Sequence, residues 1–241
     1  MNELQQLISY VKTPYFIKNS QLPNKINLAR IGVLLVAEYL ISIVWIFTVN
    51  RWIRSNFEID RSELSEDQLL GSGLLMFFLT VAIVYPIVEE VIFRYFLKGK
   101  PIIIYVLCGL ACGAGLYMIT KSFPYPSLFF KRVVLLFSAF GPLLIFVYFY
   151  IKSLKRGTLE KRIQRYFPLM FYGSTLAFAV LHVANYSWSG NYLLVVPFIV
   201  PQLLSGLVYG YARMRYGLWA SIFMHGASNS ITFLFDKILG L

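Results

Sequence analysis

Three short segments hold the residues able to do hydrolytic chemistry: Glu89 and Glu90 followed by Arg94, His182 preceded by Phe178, and His225 followed by Asn229. The chain contains two histidines, and both belong to this set. At about 100° per residue, Glu90 and Arg94 stand one helical turn apart and can pair as i,i+4 ions. Glu89 projects about 100° away from Glu90 and is left as the free carboxylate. A carboxylate withdrawn from water holds a proton more readily, which suits a general base working near neutral pH. His225 and Asn229 share a helix face and can aim two donors at one point, as a developing oxyanion requires. His182 can hold an attacking water together with Glu89, and Phe178, one turn earlier, walls the same face.

The elements that carry these residues are apolar. Of 241 residues, 58% are hydrophobic and 14% charged, with mean hydropathy +0.66, whereas soluble domains carry about 25% charged residues. Seven stretches reach the ~20 residues a spanning helix needs: 28–50, 69–97, 101–120, 133–151, 168–187, 192–212 and 218–237. The expected fold is therefore all-α, a polytopic integral membrane protein of about seven transmembrane helices. Its parts are an N-terminal cytoplasmic or interfacial segment (1–27), a first transmembrane helix with a polar loop (28–66) and the remaining helices (67–241).

A charge at mid-bilayer costs at least ~2.5–3.5 kcal/mol, so intramembrane ionisable groups face the protein interior and mark function. A single histidine would be read as interhelical hydrogen-bonding glue; two histidines with a double glutamate favour a site. Pro86, three residues before Glu89, removes a backbone donor and kinks the second span, either for packing or to open a polar pocket.

The net charge of +11 is spread between spans and not gathered on one face, which speaks for membrane orientation and against nucleic acid. Placing the N-terminus in the cytoplasm puts 15 Lys and Arg residues inside against 7 outside. The expected topology is N-in, C-out. Residues 1–27 are too polar for a secretory signal peptide. Leu4, Leu7, Ile8 and Val11 repeat at helical spacing, as in a helix lying on the inner leaflet or a plain linker helix. Cys108 and Cys112 stand one turn apart among Gly109, Gly113 and Gly115, a small-residue packing face and not a disulfide.

Taken in order on three separate apolar segments, Glu-Glu-x-x-x-Arg, Phe-x-x-x-His and His-x-x-x-Asn resemble the CPBP (CAAX protease and bacteriocin-processing, or Abi) family. That family includes the type II CAAX prenyl endopeptidases and bacteriocin-immunity proteins. The resemblance runs from about residue 85 to 232. It implies that 67–241 is an intramembrane protease domain in which Glu89 and His182 activate water, His225 and Asn229 stabilise the oxyanion, and Glu90, Arg94 and Phe178 support them. It implies no cofactor; the alternative is zinc held by Glu89, His182 and His225. The implied partners are the lipid bilayer and a membrane-associated peptide or protein, lipidated or not, in a bacterial cell membrane. The rival reading is a non-catalytic immunity or regulatory protein of the same fold that acts by binding. A proton-coupled transporter is disfavoured because no internal repeat is visible.

One expectation conflicts with the others. At ~1.5 Å per residue, His225 lies about 10 Å from the start of its span at 218, but His182 lies about 21 Å from Pro168. Convergence requires the fifth span to begin nearer Gly173.

Overall fold

The computed structural model describes residues 2–21, 24–56, 59–61, 73–98, 144–145, 150–152, 159–188 and 196–239, together with 106, 110 and 148. The described residues are mostly helical; besides the connecting residues there is one antiparallel pair of three-residue strands, β1 (Ile59–Arg61) and β2 (Tyr186–Trp188). The chain forms two compact units, Tyr95–Tyr166 and the remainder, and all the candidate chemistry lies in the remainder. The expected spans 101–120 and 133–151, with Cys108 and Cys112, fall outside the described residues save for isolated positions.

Helix α1 (Glu3–Lys12) starts with a capping box in which Asn2 and Gln5 satisfy each other's backbone donors. Helix α2 (Lys25–Trp45) is capped by the Asn24 side chain and runs through a π turn (Ile46–Asn50) into α3 (Arg51–Asn56). Helix α4 (Leu74–Leu79) leads through a second π turn (Thr80–Val84) into α5 (Tyr85–Arg94) and a 3-10 turn (Tyr95–Lys98). Helix α6 (Leu159–Leu181) ends in a 3-10 turn (His182–Asn185). Helices α7 (Val196–Tyr216) and α8 (Leu218–Leu239) complete the order.

Two runs, Lys25–Ile53 and Leu74–Lys98, are long and apolar enough to cross a membrane, with mean hydropathy 2.2 and 2.0. Their apolar side chains are largely not covered by protein: Val36, Leu40, Ile41 and Val44 all stay more than half exposed. So continuous an apolar surface would be unstable in water.

Gly217 alone separates α7 from α8. Its φ of +103° is one that side chains rarely adopt, and its N–H closes α7 on the Arg213 carbonyl at 3.2 Å. The two helices therefore fold back on each other as a tight hairpin. Helix α2 lies antiparallel to α7: Trp45 Nε1 donates to the Pro197 carbonyl at 2.8 Å, and Glu38, two turns earlier, meets Ser205 and Tyr209.

Helix α1 docks through a polar and aromatic face and leaves part of its apolar stripe uncovered. Glu3 and Tyr10 are buried, while Leu4 and Ile8 remain exposed. Tyr10 packs on Phe171 and Tyr211 with ring centroids 5.6 and 5.3 Å apart, and its hydroxyl donates to the Tyr15 carbonyl at 2.9 Å. Burial, with Tyr15 beside it, pushes its phenol well above the usual tyrosine range, so it stays a donor.

The fifth span is the expectation that the structure corrects. Its helix ends at Leu181, not 187, and begins in polar sequence by Leu159. The level set by α1 falls at Phe171. Seven residues on, Phe178 meets His225, itself seven residues beyond Leu218. Phe178 and His225 are therefore brought to one level, while His182 stands one further turn along the chain from Phe178.

Candidate active site

The α4–α5 run owes its shape to Pro86. In the π turn the Tyr85 N–H bonds the Thr80 carbonyl, five residues back. Pro86 follows and has no N–H, so it can supply neither Val81, five residues back, nor Ala82, four back. Both freed carbonyls turn to α8. The Asn229 side-chain amide donates to Val81 O at 3.0 Å. Ala82 O comes so close to Gly226 that a Cβ there would lie 2.5 Å from it. Only glycine admits this approach. The kink thus seats α8 against the helix that carries the two glutamates.

Glu90 and Arg94 form the ion pair that the spacing predicts, 2.6 Å between Nη1 and Oε1, with both side chains essentially without solvent exposure. The same Oε1 accepts from His225 Nδ1 at 3.0 Å. The Arg94 guanidinium lies over the Phe178 ring at 4.3 Å and faces Tyr209 at 5.6 Å. His225 is held on three sides: Glu90 at Nδ1, the Tyr209 ring stacked at 5.1 Å and 21°, and the Phe178 ring edge-on at 5.5 Å. Its Nε2 then faces Glu89 Oε2 at 3.7 Å, too far for a hydrogen bond but close enough for charge to matter.

Glu89 is the less buried of the two acids, with its side chain 30% exposed. Its Oε2 is shielded, with no hydrogen-bond partner among the described residues. His182 sits in the 3-10 turn that ends α6. Its Nδ1 donates to the Phe178 carbonyl at 2.8 Å. Because a carbonyl can only accept, the neutral ring keeps its lone pair on Nε2 and is a base there.

Glu89, Glu90, Arg94, Phe178, His182 and His225 are thus brought into one network. Asn229 joins it through Val81, with one amide hydrogen committed to that carbonyl. Among the described residues, no three His, Cys, Asp or Glu side chains are grouped to hold a metal ion.

Residues 71–231 match the sequence model of the Rce1-like family, the type II CAAX prenyl endopeptidases. The chain belongs to this family. The match covers every residue of the network and two thirds of the chain. At the level of its family, this Rce1-like chain is a membrane-embedded protease. Comparison with curated proteins and with solved structures returns no match.

Sequence reasoning missed Tyr209 and Glu38. Tyr209 carried no signal, being one of 17 tyrosines. Glu38 did carry one: it is the single charged residue between Arg30 and Arg51, and the rule that flagged Glu89 applies to it equally.

Proposed function

We propose that this Rce1-like protein is an intramembrane endopeptidase that cleaves a lipidated, CAAX-type membrane peptide with water activated by Glu89 and His182. The asymmetry of the two adjacent glutamates carries the reading. Glu90 is bound at Oε1 by both Arg94 and His225, whereas Glu89 Oε2 is shielded, unpartnered and beside an imidazole. A water between Glu89 and the lone pair of His182 Nε2 can lose its proton to the carboxylate as it attacks the scissile carbonyl. The proton then passes to the leaving amine.

The oxyanion falls to His225 and Asn229. Ionised Glu90 can only accept, so His225 Nδ1 is protonated. Donation from Nε2 to the oxyanion requires the doubly protonated ring, which Glu90 and Glu89 flank with two carboxylates. Asn229 contributes its second amide hydrogen. The topology that fits this scheme has seven spans with the N-terminus in the cytoplasm and the site opening toward that side, in a bacterial cell membrane.

Hydrolysis by this route uses no metal. Elemental analysis of active, detergent-purified protein tests that part: stoichiometric zinc whose removal abolishes cleavage and whose return restores it overturns it. The whole reading is tested with a quenched farnesylated CAAX peptide in liposomes. Wild type cleaves it and Glu89→Gln does not. Full biological activity in Glu89→Gln would replace catalysis with action by binding alone.

A further inference from the structure

The family match begins at residue 71, yet the closest packing on His225 is governed from α2. Glu38 is 3% exposed. Its Oε1 accepts from Ser205 Oγ, and Tyr209 OH approaches the same oxygen at 3.4 Å. One carboxylate therefore gathers two hydroxyls of α7 immediately behind the ring that stacks on His225.

We propose that Glu38 is a positioning residue of the active centre: it pins the Tyr209 phenol, and the pinned ring fixes the plane of the His225 imidazole. The hydrogen bond from Nδ1 to Glu90, with the tether at Cβ, restrains the imidazole but lets it rock as that single bond bends. Phe178 meets the imidazole edge-on at 85° and bounds one side only. The Tyr209 stack, at 21°, is the contact that sets the plane and so the aim of Nε2. A tyrosine ring held only by packing tilts more readily than one whose hydroxyl also reaches a buried carboxylate, here at 3.4 Å. Simple helix packing offers no reason for this arrangement, because a carboxylate in an apolar seam is costly wherever an apolar side chain would fill the space. Helix α2, outside the family-matched segment, thus acts on the catalytic geometry of the matched part.

The proposal deepens the protease reading and rests on it only for its kinetic arm. Full-length protein with 15N-labelled histidine rings, in lipid nanodiscs, gives two ring spin systems, since the chain has two histidines. Glu38→Gln and Tyr209→Phe should each shift the ring signals of His225 and leave those of His182 in place. Tyr209→Phe separates positioning from simple charge, because it keeps the Glu38 carboxylate and the stacking ring and removes only the tie. It also serves if Glu38→Gln does not fold. On the farnesylated peptide, kcat should fall roughly ten- to a hundredfold with KM unchanged, the size of effect that a small misplacement of a catalytic group produces. His225 signals that stay at their wild-type positions in Tyr209→Phe overturn the proposal. Absence of cleavage by the wild type overturns the protease reading instead, and the ring signals still decide whether Glu38 positions His225.

Discussion

The active centre and the contact of α1 with α7 each bury a glutamate, and they satisfy it with different chemistry. Glu90 is met by a guanidinium, Arg94, buried with it at 2.6 Å. Glu3 is met by two phenols, Tyr211 and Tyr216, at 2.7 and 2.6 Å, with the partly exposed Arg30 no nearer than 3.8 Å. A carboxylate with a buried guanidinium partner accepts strong charge-assisted hydrogen bonds, and such an acceptor can dictate which nitrogen of a neighbouring imidazole carries the proton. A carboxylate collared by hydroxyls serves mainly to fasten the elements that bring them. Under the proposed function the first arrangement serves chemistry and the second assembly, so breaking each should cost different things.

The largest expected effect sits in the active centre and separates its two acids. Glu89→Gln should abolish turnover of a farnesylated peptide while leaving the melting temperature near wild type, because it removes no buried ion pair. Glu90→Gln should lose both. It leaves Arg94 buried without its partner, and breaking such a pair from one side costs ~3–5 kcal/mol. Melting curves in detergent beside peptide cleavage decide the matter. Equal melting temperatures for the two variants would mean that the acids do not divide the labour.

Next in size is Gly226→Ala. The added methyl would meet backbone, the Ala82 carbonyl at 2.5 Å, which cannot swing aside as a side chain can. Overpacking of this kind costs roughly 1–3 kcal/mol. The shift of α8 away from the π turn should also loosen the Asn229 bond to Val81, so cleavage should fall with stability. A variant with wild-type stability would show that the freed carbonyls of the kink do not seat α8.

The cluster of glutamates and histidines was the more legible of the two regions as geometry, for a physical reason. Charged and imidazole side chains in apolar sequence are conspicuous, and i,i+4 spacing gave the Glu90–Arg94 pair directly. Helix spacing could not give the Asn229 bond to Val81, because that depends on a π turn meeting Pro86 and so on which carbonyls lose their donors. The bounds of the helix before His182 were misjudged because polar residues from Leu159 onward extend α6 beyond its apolar part. At α1, apolar periodicity gave a helix with Leu4 and Ile8 on one face but no sign that Glu3 and Tyr10 would dock it. A glutamate that exists to receive phenols from residues 208 and 213 positions away has no local pattern to betray it.

The smallest effect belongs to that second region. Tyr211→Phe removes one donor to Glu3 and keeps the aromatic packing on Tyr10. A hydrogen bond to a charged group is worth about 1.5–3 kcal/mol, and the lower end applies here because Tyr216 and Arg30 remain with Glu3. The expected outcome is a modest fall in melting temperature with kcat unchanged, since Tyr211 touches neither His225 nor the glutamate pair in α5. Glu3→Gln in the Tyr211→Phe background should cost little more than Glu3→Gln alone, because the two residues share one interaction and their effects are not additive. Full additivity would show that the phenol and the carboxylate stabilise the fold independently. A loss of kcat in Tyr211→Phe would break the contrast between the regions, because the fastening of α1 would then belong to the chemistry as well.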